Sequence, residues 1–262
     1  MQSTTPAACA PLAILSALAQ EQRGLIEQLG RARQFVRAGR DFWLGDLHAV
    51  PVVLALSRIG KVAAATTATA LIENFGVRQI VFTGVAGALD AAVNVGDVIV
   101  ATHFMQHDLD ASPLFPRYEV PLYGTACFEG DGLLTPLLFR AACAALEQDP
   151  LSEQTTAHPF PQARVHRGLI ASGDRFVCGA EESRMLKASL ADAGHAVLAV
   201  EMEGAAVAQV CLDYGVPFAA VRTVSDRADD SAHLDFPGFI EEVAGRYARD
   251  IVGRFLDLLS KN

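Results

Sequence analysis

The sequence predicts an α/β sandwich, on three observations. Short apolar runs of strand type alternate with stretches of helical spacing along the chain. Several of the apolar runs end in glycines or in a Ser-Asp pair, the punctuation of turns at strand ends. With 262 residues, 51% hydrophobic and 19% charged, the chain can bury a sizeable core. One domain over residues 12–262 is therefore expected, preceded by a disordered leader at 1–11.

Taken in order, LAILSAL (12–18) is an uninterrupted apolar run, the pattern of a strand buried between layers, and AQEQRGLIEQLG after it has helical spacing. VPVVLALSRIG (50–60) reads as a second strand ending at a glycine, and KVAAATTATALIENFG as an Ala-rich helix closed by Gly76. RQIVFTGVAG gives a strand running into a glycine turn, and GDVIVATHF another strand after the turn 94–97. RVHRGLIASGD, a helix starting near Met202, the strand VPFAAVRTVSD and the segment FIEEVAGRYARDIVGRFLDLL continue the pattern. The stretches 111–130 and 148–164 are polar and contain proline, which makes them loops with a functional or interfacial role.

Composition excludes several classes of partner. A formal charge of −9, with Lys and Arg scattered rather than striped, argues against nucleic acid or an anionic membrane. Five widely spaced cysteines without a CxxC suggest neither a disulfide framework nor a zinc site, and fit a reduced cytoplasm. MQSTTPAACAP lacks the basic start and apolar run of a secretory signal, and no apolar stretch approaches the ~18 residues of a membrane span.

In open α/β sheets, ligands bind beyond the carboxyl ends of strands, which directs attention to the residues that follow each strand. Gly84-Val85-Ala86-Gly87 offers small residues to an approaching ligand but lacks dinucleotide-turn spacing; a tight strand-to-helix turn explains it equally well. Glu201-Met202-Glu203 precedes GAAVAQVC, so a helix dipole alone would favour both acids. Two residues apart in a helix they would face different ways, leaving one of them for a ligand, where a carboxylate suits the paired hydroxyls of a ribose. Ser225-Asp226 is either an ordinary turn or an acid whose burial lifts its pKa from the reference of ~3.9. Glu21 alone reads as a solvated helix residue as readily as a base, the loop 172–177 follows another strand, and His107-Asp108-Leu109-Asp110 lacks a second ligand set for a metal.

Taken together, TGVAGAL (83–89), NVGDVIV (94–100), SGDRFV (172–177), AVEMEGAAVAQVC (199–211) and VRTVSDRAD (221–229) resemble the 5′-methylthioadenosine/S-adenosylhomocysteine nucleosidases of the nucleoside phosphorylase superfamily. The likeness runs in order from about residue 12 to 258, with EMEGAA and the VRTVSDRAD strand end its specific part. It implies a three-layer α/β/α sandwich with a central mixed sheet, a homodimer with the 111–130 loop near the partner's pocket, and no cofactor or metal. The implied reaction is hydrolysis of an adenine nucleoside by water. By the same resemblance Glu21 is the base that activates water, Asp226 the acid at adenine N7 and Glu203 the ribose acceptor. Met202 lies under the sugar, Phe176 stacks on adenine, and the Val177 backbone bonds it. Ser225 and Arg222 support Asp226; Val85, Ala86 and Gly87 border the site; and Leu18, Ile59 and Phe236 line the alkylthio end.

The chemistry agrees with these assignments. A purine departs easily only when its developing negative charge meets a proton, and the ribose left behind becomes oxocarbenium-like, which a carboxylate on its hydroxyls stabilises. Phosphorolysis would require arginines and glycine amides for a dianion, which Ser16-Ala17 and Thr83-Gly84-Val85 do not offer. A phosphate-dependent nucleoside phosphorylase, a futalosine-type hydrolase and a non-catalytic nucleoside-binding protein stand as alternatives.

Overall fold

The computed structural model describes residues 10–148, 163–229, 232, 239 and 243–261. The elements are β1 (Leu12–Ser16), α1 (Ala19–Glu27), β2 (Gly30–Arg37), β3 (Arg40–Leu47), β4 (Val50–Leu56), α2 (Lys61–Phe75), β5 (Gln79–Ala88), β6 (Val98–Gln106), β7 (Cys127–Glu129), α3 (Leu134–Glu147), β8 (Val165–Ser172), α4 (Ala180–Asp192), β9 (Val197–Glu201), α5 (Gly204–Tyr214), β10 (Phe218–Asp226) and α6 (Gly245–Leu259). The predicted strand at 50–60 thus stops at Leu56. The leader lies almost wholly, and the 148–164 loop largely, outside the described residues.

Helices cover both faces of one mixed sheet. α2 buries Ala64, Thr67, Ala68 and Leu71, a single stripe at helical spacing, and Gly76 ends it at φ +64° with its N–H on the Ile72 and Leu71 carbonyls. Ala64, Ala68 and Leu71 of that stripe and Ala205, Val207, Ala208 and Cys211 of α5 share a core with Ala13 and Leu15 of β1. On the opposite face Leu12 and Ile14 meet Leu25 of α1, Leu134, Leu138 and Ala141 of α3, and Ile251 and Phe255 of α6. Alternate residues of β1 therefore serve opposite cores, which is why its sequence reads as an unbroken apolar run.

The sheet has an open end and a closed one. At the open end β4, β3 and β2 form antiparallel hairpins, and β2 is an exposed edge carrying Arg31, Arg33 and Arg37, charges that discourage pairing with another chain. At the other end β5, β10, β6, β8 and β9 pair in sequence, and β9 returns to β5, closing a ring.

β5 makes the closure possible through its length. One of its edges is taken by β10 along residues 80–87. The other is shared: β1 pairs as far as Phe82, and β9 joins only at Gly87 and Ala88. Between these partners the edge at 83–86 opens onto the site.

Candidate active site

A cavity of about 440 Å³ lies at this gap. Its walls come from the end of β1 and start of α1 (Ala17, Leu18, Glu21), the turn before α2 (Ile59), β5 (Gly84, Val85, Ala86, Gly87), the loop after β8 (Phe176), the β9–α5 junction (Val200, Glu201, Met202, Glu203) and the end of β10 (Arg222, Ser225, Asp226). It joins all the proposed site residues except two. Val177 buries its side chain beside Met105, Tyr118 and Leu190 rather than facing the cavity, and Phe236 lies outside the described residues.

Gly84-Val85-Ala86-Gly87 does not turn into a helix; it continues β5 to Ala88. Space requires glycine at 87, while at 84 a Cβ would make ordinary contact. A Cβ on Gly84 would stand 3.4 Å from Glu21 Oε1 and 3.5 Å from Arg222 Nη1, and one on Gly87 only 2.7 Å from Asp226 Oδ1. The sheet backbone thus lies directly against the acidic groups.

Glu21 is in the first turn of α1 and is buried. Its Oε2 accepts the N–H groups of Ala17 and Leu18, both at 2.9 Å, the reach-back of an N3 glutamate toward the start of its helix. Oε1 is also buried and makes no well-formed hydrogen bond among the described residues, though the Val85 amide lies near the carboxylate. Burial pushes the Glu21 pKa up to about 7, against the pull of the Leu18, Ala17 and Val85 amides and the Arg222 charge. A carboxyl poised near neutrality with a free lone pair is suited to taking a proton from water.

Glu201 and Glu203 are not two residues of one helix. Glu201 ends β9, and Glu203 is the N-cap of α5. Glu201 Oε2 pairs with Arg222 Nη2 at 2.8 Å, the Gly204 N–H donates to both its oxygens at 3.0 and 2.9 Å, and Ser172 Oγ donates to Oε1. Ser172 Oγ in turn accepts the Ala205 N–H at 2.8 Å, so strand end and helix start are tied together. Glu201 thus caps the start of α5 from the end of β9, with a buried ion pair added. Among the described residues, Glu203 Oε1 accepts the Gly60 N–H alone, at 2.9 Å. Its pKa is raised to about 8 by burial and then by the negative Glu201, opposed by the Gly60 N–H and Arg222.

Arg222, which the resemblance makes a support of Asp226, has its guanidinium on Glu201, on the Phe82 and Val221 carbonyls at 3.2 Å, and over the Phe82 ring 4.0 Å away. Asp226 accepts Ser225 Oγ on Oδ2 and the Ala228 N–H on Oδ1, each at 2.8 Å.

Met202, Leu18 and Ile59 give the cavity apolar walls, and Phe176, 40% exposed, offers an aromatic face at its edge. Sequence reasoning missed Gly60, whose amide holds Glu203, because only backbone acts there. Its one signal was a glycine between strand and helix. Among the described residues no group of three or more His, Cys, Asp or Glu is arranged to hold a metal ion, and no helix is long and apolar enough to cross a membrane.

The family model described as phosphorylase superfamily matches residues 11–257. A 5′-methylthioadenosine/S-adenosylhomocysteine nucleosidase of Shewanella denitrificans is 31% identical over 247 residues, 94% of this chain and 99% of that protein. The enzyme of the same description from Neisseria meningitidis, solved with methylthio-immucillin-A, has a TM-score of 0.82 at 33% identity, covering 94% of this chain and 98% of its own. A futalosine hydrolase of Helicobacter pylori has a TM-score of 0.80 at 31% identity, covering 94% and 97%. Fold, cavity and sequence agree: the chain belongs to the phosphorylase superfamily, among its nucleosidases of the 5′-methylthioadenosine/S-adenosylhomocysteine type.

Proposed function

We propose that this protein hydrolyses the N-glycosidic bond of 5′-methylthioadenosine and S-adenosylhomocysteine, releasing adenine and the thio-ribose. The observation that carries the reading is the convergence of three buried carboxylates, Glu21, Glu203 and Asp226, on one cavity from three separate elements. Phe176 stacks on the adenine, and the Val177 backbone bonds its edge. Asp226, oriented by Ser225, delivers a proton to N7 as the base departs. Glu203 accepts the ribose hydroxyls and strengthens its hold as positive charge grows on the sugar. Glu21 takes a proton from the water that attacks the anomeric carbon. Met202 lies beneath the sugar, and Leu18, Ile59 and Phe236 surround the alkylthio group.

The cation content of the site favours water over phosphate as nucleophile. Arg222 is the only cationic side chain among the described lining residues, and Glu201 already occupies it. A phosphate dianion would meet the Glu21 carboxylate instead of a positive clamp. Purified protein is incubated with each nucleoside, with and without phosphate, and the sugar product identified. Free thio-ribose irrespective of phosphate is expected; a strict phosphate requirement with a ribose 1-phosphate product overturns hydrolysis. Because likeness to the futalosine hydrolase is equally high, futalosine belongs in the same assay, and exclusive cleavage of futalosine would replace the substrate assignment.

The proposed assembly is a homodimer in the cytoplasm, with the 111–130 loop beside the partner's pocket. Leu114 and Leu122 of that loop are 84% and 92% exposed, apolar surface suited to such a contact. Light scattering at twice the 27.8 kDa chain mass is the expected result.

A further inference from the structure

His107 and Asp108, just beyond β6, do not line the cavity, yet they grip two of the segments that do. Asp108 Oδ1 accepts Lys61 Nζ at 2.5 Å, and its Oδ2 accepts the Asp174 N–H at 2.9 Å. Asp174 returns to the same lysine: its Oδ1 accepts the Lys61 backbone N–H at 2.7 Å. The preceding amide, of Gly60, is the one that holds Glu203 Oε1 at 2.9 Å. Two consecutive N–H groups at the start of α2 are therefore each committed to a carboxylate, one on the ribose side and one on the loop that carries Phe176.

We propose that Asp174, with Asp108 and Lys61, is a positioning clasp that sets Glu203 and the Phe176 loop as one unit through the adjacent amides of Gly60 and Lys61. The proposal rests on the reading of Glu203 as the ribose acceptor. The two N–H groups belong to adjacent planar peptide units joined at the Gly60 Cα, at the N-cap of α2, so movement of that turn carries both. The open end of α2 favours negative charge on both of its acceptors. Gly60 has φ +96°, which demands glycine at the joint, and a Cβ there would also press on Asp174 Oδ1 at 3.1 Å.

The loop is fixed from a second side by packing. The buried His107 ring lies flush against Gly173, where a Cβ would come within 2.3 Å of Cε1 and Nε2. The Gly173 N–H bonds the Glu201 carbonyl at 3.1 Å, and Lys61 Nζ also reaches Gln106 Oε1 at 3.0 Å. Burial opposes ionisation of Asp108, but the Lys61 ammonium and the Asp174 amide outweigh it and hold the carboxyl below the usual aspartate range. The His107-Asp108 pair, which from sequence lacked a second ligand set for a metal, thus belongs to the scaffold of the site.

The test is a double-mutant cycle on binding. The ligand is 5′-methylthiotubercidin, which has carbon in place of N7 and so offers no site for the departing-group proton; adenine, lacking the ribose, is the control. Calorimetry compares wild type, Asp174→Ala, Glu203→Ala and the double variant, with melting curves to confirm folding. Asp174 is exposed, so its replacement leaves the core intact. Asp174→Ala is expected to weaken nucleoside binding about tenfold alone but at least threefold less when Glu203 is already absent, with no such coupling for adenine. Asp174→Asn, which keeps the Oδ1 acceptor, should restore nucleoside affinity to within threefold of wild type. Coupling below threefold, or an Asn variant no better than Ala, overturns the clasp. If Glu203→Ala alone left nucleoside affinity unchanged, the ribose assignment would fall and the clasp with it; coupling below threefold beside a large Glu203 effect removes the clasp alone.

Discussion

The two acids of the Glu201-Met202-Glu203 motif share one junction but are partnered differently. On the Glu201 side, the carboxylate is matched by Arg222, the Gly204 amide and Ser172, so its charge is answered on every side. On the side of Glu203 and Glu21, the carboxylates are equally buried but under-supplied with donors, and their pKa values rise to about 8 and about 7. The contrast separates structural from chemical charge: a buried acid with a full set of partners fixes geometry, while one left short of partners stays ready to exchange protons or accept a ligand's hydroxyls.

The largest expected effects come from breaking the chemical side. Asp226→Asn and Glu21→Gln should each lower kcat by roughly 10²–10⁴-fold, the usual contribution of a positioned acid or base. Adenine release measures this, and Asp226→Asn should keep nucleoside affinity within a few-fold of wild type. Retention of more than a tenth of the activity by either variant would remove that residue from its role. Breaking the structural side should act on folding instead. Glu201→Ala leaves Arg222 buried without its counter-ion and is expected to cost about 3–5 kcal/mol in denaturant unfolding.

Stability against pH tests the burial of Glu21. The folded pKa of Glu21 is raised from 4.5 to about 7, so the folded state holds a proton that the unfolded chain releases first. Stability from this group is full below pH 4.5 and is lost as pH rises through 7. Glu21→Gln, neutral at every pH, should therefore be indifferent at pH 4 and more stable than wild type by about 3 kcal/mol at pH 8, at one pKa unit per 1.36 kcal/mol. Loss of stability at pH 8 would show that the Ala17 and Leu18 bonds to its carboxylate outweigh the burial of charge.

How much of this was legible in the sequence varies with the kind of force at work. β1, β5 and β10 lie between two helical layers, so their apolar runs are continuous and easily read. The β2–β3–β4 hairpins were not marked. β2 is exposed along most of its length, and the turns use Ala38-Gly39 and His48-Ala49 at positive φ where Asn-Gly would have signalled a hairpin. In the site, Glu21, Glu203 and Asp226 were found through motif order. The Glu201–Arg222 pair was not, since its partners are 21 residues apart and meet only when β9 closes the ring. Nor could the Gly60 amide be read from side-chain chemistry.

The smallest effect expected is at the support of Asp226. Ser225 Oγ donates to Oδ2 at 2.8 Å, while Oδ1 is held by the Ala228 N–H. Ser225→Ala removes one hydrogen bond to a charged group, worth about 1.5–3 kcal/mol in a buried site, and keeps the backbone bond. Part of that loss is recoverable because the Gly87 backbone packs so closely on Asp226 that little rotation is open to the carboxyl. A fall in kcat of about tenfold with KM nearly unchanged is therefore expected, well short of Asp226→Asn. An equal loss in the two variants would mean that the hydroxyl takes part in proton delivery itself; no loss would mean that the sheet backbone alone aims the acid.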